Sequence, residues 1–106
     1  MLRIYDCAIQ LVRDLRAPLG HIARHDPDLA RQFRRALASV PLNIAEGSGS
    51  RGRNRDARYE NAIGSLREVR AVLDVAEALG YVDPIPADVA NTIQRIIATL
   101  LNNIVR

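Results

Sequence analysis

The sequence predicts an all-α fold, an antiparallel up-down-up-down four-helix bundle. Four long segments repeat apolar residues every three or four positions, and no segment shows the two-residue alternation of a strand. Hydrophobic residues make up 48% of the 106 residues but aromatic residues only 4%, so aliphatic side chains and alanine must fill the core. Because the predicted connections are short, antiparallel packing in one domain over 1–106 is the most economical arrangement.

The first helix is predicted over about residues 3–24. Its apolar stripe comprises Tyr5, Ala8, Ile9, Val12, Leu15, Leu19 and Ile22. Pro18 lies within this stripe and lacks a backbone donor, so we expect the helix to bend there. Asp26 is the expected cap of the second helix, with Pro27 at its first position.

The second helix is predicted over about residues 28–47, with arginines largely on its outer face and a core face of Leu29, Phe33, Ala36, Leu37, Val40 and Ile44. Pro41 is expected to kink it and to free carbonyl groups near Leu37, with Asn43 close by in sequence. The following residues 47–56, GSGSRGRNRD, are rich in glycine and polar side chains. They predict an exposed loop.

The third helix is predicted over about residues 55–80, and Gly80 is its expected C-terminal cap. Its core stripe is Tyr59, Ala62, Ile63, Leu66, Val69, Leu73, Ala76 and Leu79. The fourth helix is predicted over about 86–104, with Val89, Ile93, Ile96, Ile97, Leu100 and Ile104 aligned. Further apolar residues lie off these stripes and predict oligomerisation: Val72, Val75, Leu101 and Val105.

The charge distribution points to an anionic partner. The net charge is +3, and residues 1–58 hold 11 arginines against 6 acids while residues 59–106 hold 4 against 6. Four of these arginines crowd the predicted loop and the start of the next helix: Arg51, Arg53, Arg55 and Arg58. We expect them to contact phosphates of a nucleic acid in a salt-dependent manner. The alternative is that they are solvated surface residues, and the segment lacks the GxxxxGK[ST] pattern of a nucleotide-binding loop.

Other polar residues have structural interpretations. Asn43 and Glu46 on the second helix, with Ser65 and Glu68 on the third, border apolar stripes and are expected to satisfy one another across the helices. His21 and His25 have the i, i+4 spacing of a metal pair, but no third ligand is near in sequence. The single Cys7 is expected to fill space in the core. The sequence therefore predicts no catalytic residues, no metal and no cofactor.

Cellular location follows from similar arguments. One cysteine excludes an internal disulfide, and there is no run of 18 apolar residues. The charged first residues do not form a secretion signal. We expect a cytoplasmic protein without a membrane partner.

Five short motifs carry a family resemblance. They are Arg34-Arg35-Ala36, Ser39-Val40-Pro41, Asn43-Ile44-Ala45-Glu46-Gly47, Ser65-Leu66-Arg67-Glu68 and Leu79-Gly80-Tyr81. Together with the opening Ile4-Tyr5-Asp6 they resemble the four-helix-bundle family of 23S ribosomal RNA intervening-sequence proteins over nearly the whole chain. The resemblance implies a bacterial, cytosolic homopentamer without established enzymatic activity. A related branch, the accessory variability proteins of diversity-generating retroelements, forms basic pentamers that bind a reverse transcriptase and nucleic acid.

Two functions remain open at this stage. The first is an oligomeric nucleic-acid or ribonucleoprotein binding module, which predicts a steep dependence of binding on salt. The second is a protein-interaction scaffold that does not bind RNA at physiological salt. An enzyme ranks last, because no nucleophile, base or metal set is credible.

Overall fold

The computed structural model describes the backbone of residues 2–104 and the side chains of residues 3–104. Within this range the chain forms five α-helices and no strand, so the predicted all-α class is confirmed. The helices are α1 (Leu2–Asp14), α2 (Arg16–His25), α3 (Pro27–Ser48), α4 (Gly52–Ala78) and α5 (Ala87–Asn103). The molecule measures 42 × 25 × 21 Å, and α4, at about 1.5 Å per residue, spans nearly its full length.

The first predicted helix is divided into α1 and α2 at Leu15. Leu15 donates its N–H to the carbonyl of Leu11 at 3.0 Å, and its own carbonyl accepts from Leu19 at 3.0 Å. The interruption comes one turn before Pro18 because the proline has no N–H for the carbonyl of Asp14, and its ring crowds that same carbonyl. The expected bend therefore exists, but it lies at Leu15.

The helix α3 continues without interruption through Pro41, which is buried. No interruption like the one at Leu15, before Pro18, accompanies Pro41. The side-chain amide of Asn43 donates to the carbonyl of Ser39 at 2.9 Å. Asn43 therefore contacts the carbonyl of Ser39, which lies two residues after Leu37.

The predicted loop over 47–56 is wrong in extent. Only residues 49–51 lie between α3 and α4, since Gly47 and Ser48 belong to α3 and residues 52–56 to α4. Gly47 is also buried. A Cβ at this position would collide with Cε1 and Cδ1 of the Tyr59 ring, so only glycine fits there. The glycine allows α3 and α4 to approach closely, rather than marking a flexible loop.

Two predicted helix caps are present. The Asp26 carboxylate accepts from the N–H of Leu29 at 3.0 Å, and Pro27 opens α3. Gly80 has φ +80°. Two hydrogen bonds, Gly80 N–H to Glu77 at 2.9 Å and Tyr81 N–H to Ala76 at 2.8 Å, complete a Schellman motif that ends α4.

One contiguous cluster of aliphatic side chains, with Phe33 and Tyr59, forms the core. Two predictions about the core face of α4 are wrong. Val72, predicted off the core stripe, is buried, whereas Leu79, predicted on it, is 56% exposed. Val72 lies three residues after Val69 and so shares the buried face of α4. Leu79 follows the end of α4, which is five residues longer than its neighbour α3 and therefore extends beyond it. Ile4 and Leu11 of α1 are also buried, and Val105 lies outside the described residues.

The packing gives the molecule two distinct ends. α1 contacts α3 and α5, and α4 contacts the same two helices. We call the end formed by the start of α1, residues 49–51 and the end of α5 the basic end. We call the opposite end, formed by residues 25–27 and the connector 79–86, the capped end.

Candidate nucleic-acid interface

Two of the four predicted arginines are exposed and unengaged at the basic end. Arg51 is the N-cap residue of α4, in an extended conformation with φ −134° and ψ 156°, and Arg53 lies in the first turn. Both residues are exposed, and neither side chain makes a hydrogen bond or ion pair with a residue that the structure describes. These two guanidinium groups are free to meet an anion.

Arg55 has a different role, because its side chain turns toward the end of α5. Its Nη2 donates to the backbone carbonyl of Asn103 at 3.2 Å, and its guanidinium carbon lies 5.9 Å from the centre of the Tyr59 ring. Its Nε is buried and has no hydrogen-bond partner among the described residues. A cation at the C-terminal end of a helix is electrostatically favourable, so Arg55 fastens α5 to α4.

Arg58 is paired rather than free. Its Nη2 lies 3.2 Å from Oε2 of Glu46, and both side chains remain about half exposed. The pair joins α4 to α3 directly beside the buried Gly47. An exposed ion pair of this kind contributes little to stability, about 0–1 kcal/mol, and it reduces the charge offered to a phosphate.

The start of α4 itself favours anions. No side chain caps its first turn, and Gly52 has φ +56°. The first backbone N–H groups of a helix have no partner within the helix and carry the positive end of its dipole. Their position beside Arg51 and Arg53 combines backbone donors and side-chain cations on one exposed surface.

The predicted polar motif is divided among three separate contacts. Asn43 Nδ2 donates to Ser39 Oγ at 2.9 Å, and Ser39 Oγ lies 2.7 Å from Ser65 Oγ, so these hydroxyls bridge α3 and α4. Glu46 pairs with Arg58 instead of with the motif. Glu68 accepts from Gln32 Nε2 at 3.1 Å.

Sequence reasoning had not assigned a role to Ser39 or Gln32 in these contacts. Only the tertiary packing of α3 on α4 reveals them. α3 carries many polar residues, so nothing in the sequence distinguishes these two from the others.

The histidines lie at the capped end, opposite to Arg51, Arg53, Arg55 and Arg58 at the basic end. His21 Nδ1 accepts from Arg24 at 2.6 Å, and His25 Nδ1 donates to the carbonyl of His21 at 3.0 Å. The His25 ring stacks on Tyr81 with the ring centres 5.0 Å apart. Among the described residues no group of three or more His, Cys, Asp or Glu side chains is arranged to hold a metal ion.

Cys7 is half-buried between α1 and α5 and packs against the core. None of the four arginines discussed above lines the cavity beside it. None of the helices in the described part of the chain is long and apolar enough to cross a membrane.

These features define a small helical protein with a basic surface at one end. The chain belongs to the 23S rRNA-intervening sequence protein family, whose model matches residues 1–103. Neither the curated proteins nor the solved structures contain a significant match to the chain.

Proposed function

We propose that this protein is a non-enzymatic, oligomeric module that binds nucleic acid through the basic end. One observation carries the proposal: Arg51 and Arg53 are exposed and unpaired at the uncapped start of α4. A phosphate group bound at this position accepts hydrogen bonds both from the arginine side chains and from the free backbone N–H groups of α4. Arg55 and Arg58 support this surface from behind by fixing the first turns of α4.

The proposed topology is an up-down-up-down four-helix bundle in which α1 and α2 act as one bent helix. The hydrogen bonds on both sides of Leu15 support this view. Only Asp26 separates α2 from α3, and only three residues separate α3 from α4, which favours antiparallel neighbours. This topology places the starts of α1 and α4 together at the basic end.

The proposed assembly is a homo-oligomer in the bacterial cytoplasm, a pentamer as the family resemblance implies. Exposed apolar side chains on α3 and at the end of α4 support self-association, because Leu42 is 63% and Val75 48% exposed. Two free arginines in one chain give weak phosphate binding. Repetition of the pair around a ring raises the overall affinity through multivalency.

The separation of reactive groups supports a non-enzymatic role. Cys7 lies between α1 and α5, whereas His21 and His25 lie at the capped end. A thiol nucleophile needs a base within hydrogen-bond reach, and neither histidine is in that position.

The test is a fluorescence-anisotropy titration of structured RNA and of duplex DNA with the full chain, at low and near-physiological salt. The variant R51S/R53S removes the free pair and leaves the Arg55 and Arg58 contacts intact. The matched control is R34S/R35S, which removes the same charge from the exposed middle of α3. Light scattering reports whether each variant keeps the assembly of the wild type.

The proposal requires that wild-type binding weakens steeply with salt and that R51S/R53S weakens binding at least about tenfold more than R34S/R35S. Equal losses in the two variants mean that net charge alone drives binding. If the intact oligomer binds neither nucleic acid, the scaffold function replaces this one, and the exposed apolar residues become its contact surface.

A further inference from the structure

A groove between α1 and α5 reaches the basic end at Asn103, whose carbonyl accepts from Arg55, and none of the four arginines of the proposed nucleic-acid surface lines it. It encloses a cavity of about 300 Å³. Residues from both helices line it, among them Arg3, Ile4, Cys7, Arg95, Ile96 and Thr99. A volume of this size is at the lower limit of ordinary ligand sites.

The floor of the groove is apolar. Ile4 and Ile96 are buried at 8% and 1% exposure and present aliphatic carbon to the cavity. The hydroxyl of Thr92 donates to the carbonyl of Asp88 at 2.9 Å, so its donor is already used within α5. Asn103 is likewise engaged, because its Nδ2 donates to Thr99 at 2.8 Å. An occupant therefore meets mainly hydrocarbon at the base of the groove.

Two arginines supply the unsatisfied polarity of the groove. The Arg3 side chain makes no hydrogen bond or ion pair with a described residue, and Arg95 has one long contact, 3.3 Å from Nη2 to Thr92 Oγ1. Among the residues that the structure describes, no carboxylate lines the groove and none is paired with either guanidinium. The charge of an occupant must be negative to complement this surface.

The two arginines lie toward opposite ends of the groove. α5 runs antiparallel to α1, because its end meets the start of α1 while its beginning meets α2. Arg3 is thus near Asn103, and Arg95 precedes Asn103 by eight residues, about 12 Å along the helix axis. A small anion engages only one of these charges, whereas an elongated occupant with two acidic groups engages both.

We propose that the α1–α5 groove binds an acidic amphipathic helix of a partner protein. Two carboxylates seven residues apart on one helix face lie about 10.5 Å apart along the axis and match the spacing of the arginines. Apolar side chains between them cover Ile4 and Ile96 in the manner of helix-in-groove recognition. Nucleic acid fits this groove poorly, since its phosphates leave the apolar floor uncovered.

Cys7 makes the groove directly observable, because it is the only cysteine in the chain and it lines the cavity. The probe is a fluorescein-labelled helical peptide of about 15 residues. It carries two glutamates seven residues apart and two leucines between them on the same face. Binding to the full chain is measured by anisotropy, and alkylation of Cys7 by N-ethylmaleimide is followed by mass spectrometry with and without peptide.

The expected result has three parts. Replacing both glutamates of the peptide by glutamine weakens binding by about 25-fold, and R3Q and R95Q each weaken it by about fivefold, as for partly exposed ion pairs. R34Q, which removes an exposed charge outside the groove, leaves binding unchanged. Saturating peptide slows alkylation of Cys7 in the wild type. Circular dichroism confirms the fold of the variants, whose substituted side chains are all exposed.

Three results overturn the inference. The first is peptide binding that is unaffected by R95Q or that leaves the alkylation rate of Cys7 unchanged. The second is Cys7 protection that rises with protein concentration without peptide, which assigns the groove to a second copy of the chain. The third is protection by RNA that R95Q abolishes, which assigns the groove to nucleic acid. Failure of the R51S/R53S experiment affects none of these readouts.

Discussion

The starts of α3 and α4 lie at opposite ends of the molecule and are closed in different ways. At the capped end the Asp26 contact with Leu29 closes the start of α3, and the Schellman motif at Gly80 closes the end of α4. The start of α5 has no side-chain contact from its N-cap Pro86, although Asp88 Oδ1 accepts from the N–H of Val89 at 3.0 Å. At the basic end the start of α4 has no side-chain cap. The end of α5 is met by Arg55, 48 residues away from its partner Asn103.

The cap on α3 contributes to stability, whereas the free donors of α4 are available for the proposed function. Local caps stabilise a helix end while consuming its free donors and acceptors, so the start of α3 offers fewer free donors to a ligand than the start of α4. The basic end leaves donors of α4 unsatisfied beside Arg51 and Arg53. The close contact of α3 with α4 at Gly47 and Tyr59 holds this end together, beside the local hydrogen bonds of Ser50 at the end of α3.

The largest expected effect tests that close contact. G47A places a methyl group within 2.6 Å of the Tyr59 ring, which is 1% exposed and enclosed by the core. We expect the free energy of unfolding to fall by about 2 kcal/mol, because overpacking outweighs the gain in helix propensity. Chemical denaturation at a fixed protein concentration measures the change.

The matched control for this experiment is G64A. Gly64 lies in the exposed middle of α4, and nothing lies within 4 Å of a Cβ at that position. The same substitution there should raise stability by about 0.5–1 kcal/mol. If G47A also stabilises the protein, the basic end does not depend on close packing of α3 against α4, and the comparison between the two ends loses its physical basis.

A smaller effect is expected at the capped end. G80A forces an alanine into the left-handed region at φ +80°, although nothing lies within 4 Å of the new methyl group. The cost is therefore conformational, about 1 kcal/mol. Thermal unfolding measures it, and G20A in α2, where the space is equally open, is expected to stabilise the protein instead. Equal responses of the two variants would show that the Schellman motif does not determine the stability of this end.

The same contrast explains how much of the fold could be predicted from the sequence. Asp26 with Pro27 and Gly80 act within a few residues, so pattern alone identified them. The segment 47–56 was misread because glycine and serine signal a loop locally, whereas here Gly47 serves a tertiary contact with Tyr59. Glycine chosen for close approach and glycine chosen for flexibility look alike in one sequence.

The candidate site shows the same limit. The cluster of arginines was visible in the sequence, but the structure distributes them among three environments. Arg55 and Arg58 acquire partners on α5 and α3, and only Arg51 and Arg53 remain exposed without one. Such assignments depend on contacts between distant segments, and the spacing of residues within one helix does not encode them.

The smallest global effect is expected for R55M. This variant keeps an unbranched apolar stem beside Tyr59 but removes the hydrogen bond and the charge at the end of α5. It also removes the buried Nε, which has no partner among the described residues and opposes stability. The two changes partly cancel, so the free energy of unfolding should fall by less than about 1 kcal/mol.

Amide hydrogen exchange in the last turn of α5 should nevertheless become faster in R55M, because the Asn103 carbonyl loses its hydrogen bond from α4. R53M is the control, since the Arg53 side chain makes no hydrogen bond or ion pair with a described residue and its loss should leave that exchange unchanged. Unchanged exchange in R55M would mean that α5 closes the basic end without Arg55, and that the contact over 48 residues is incidental.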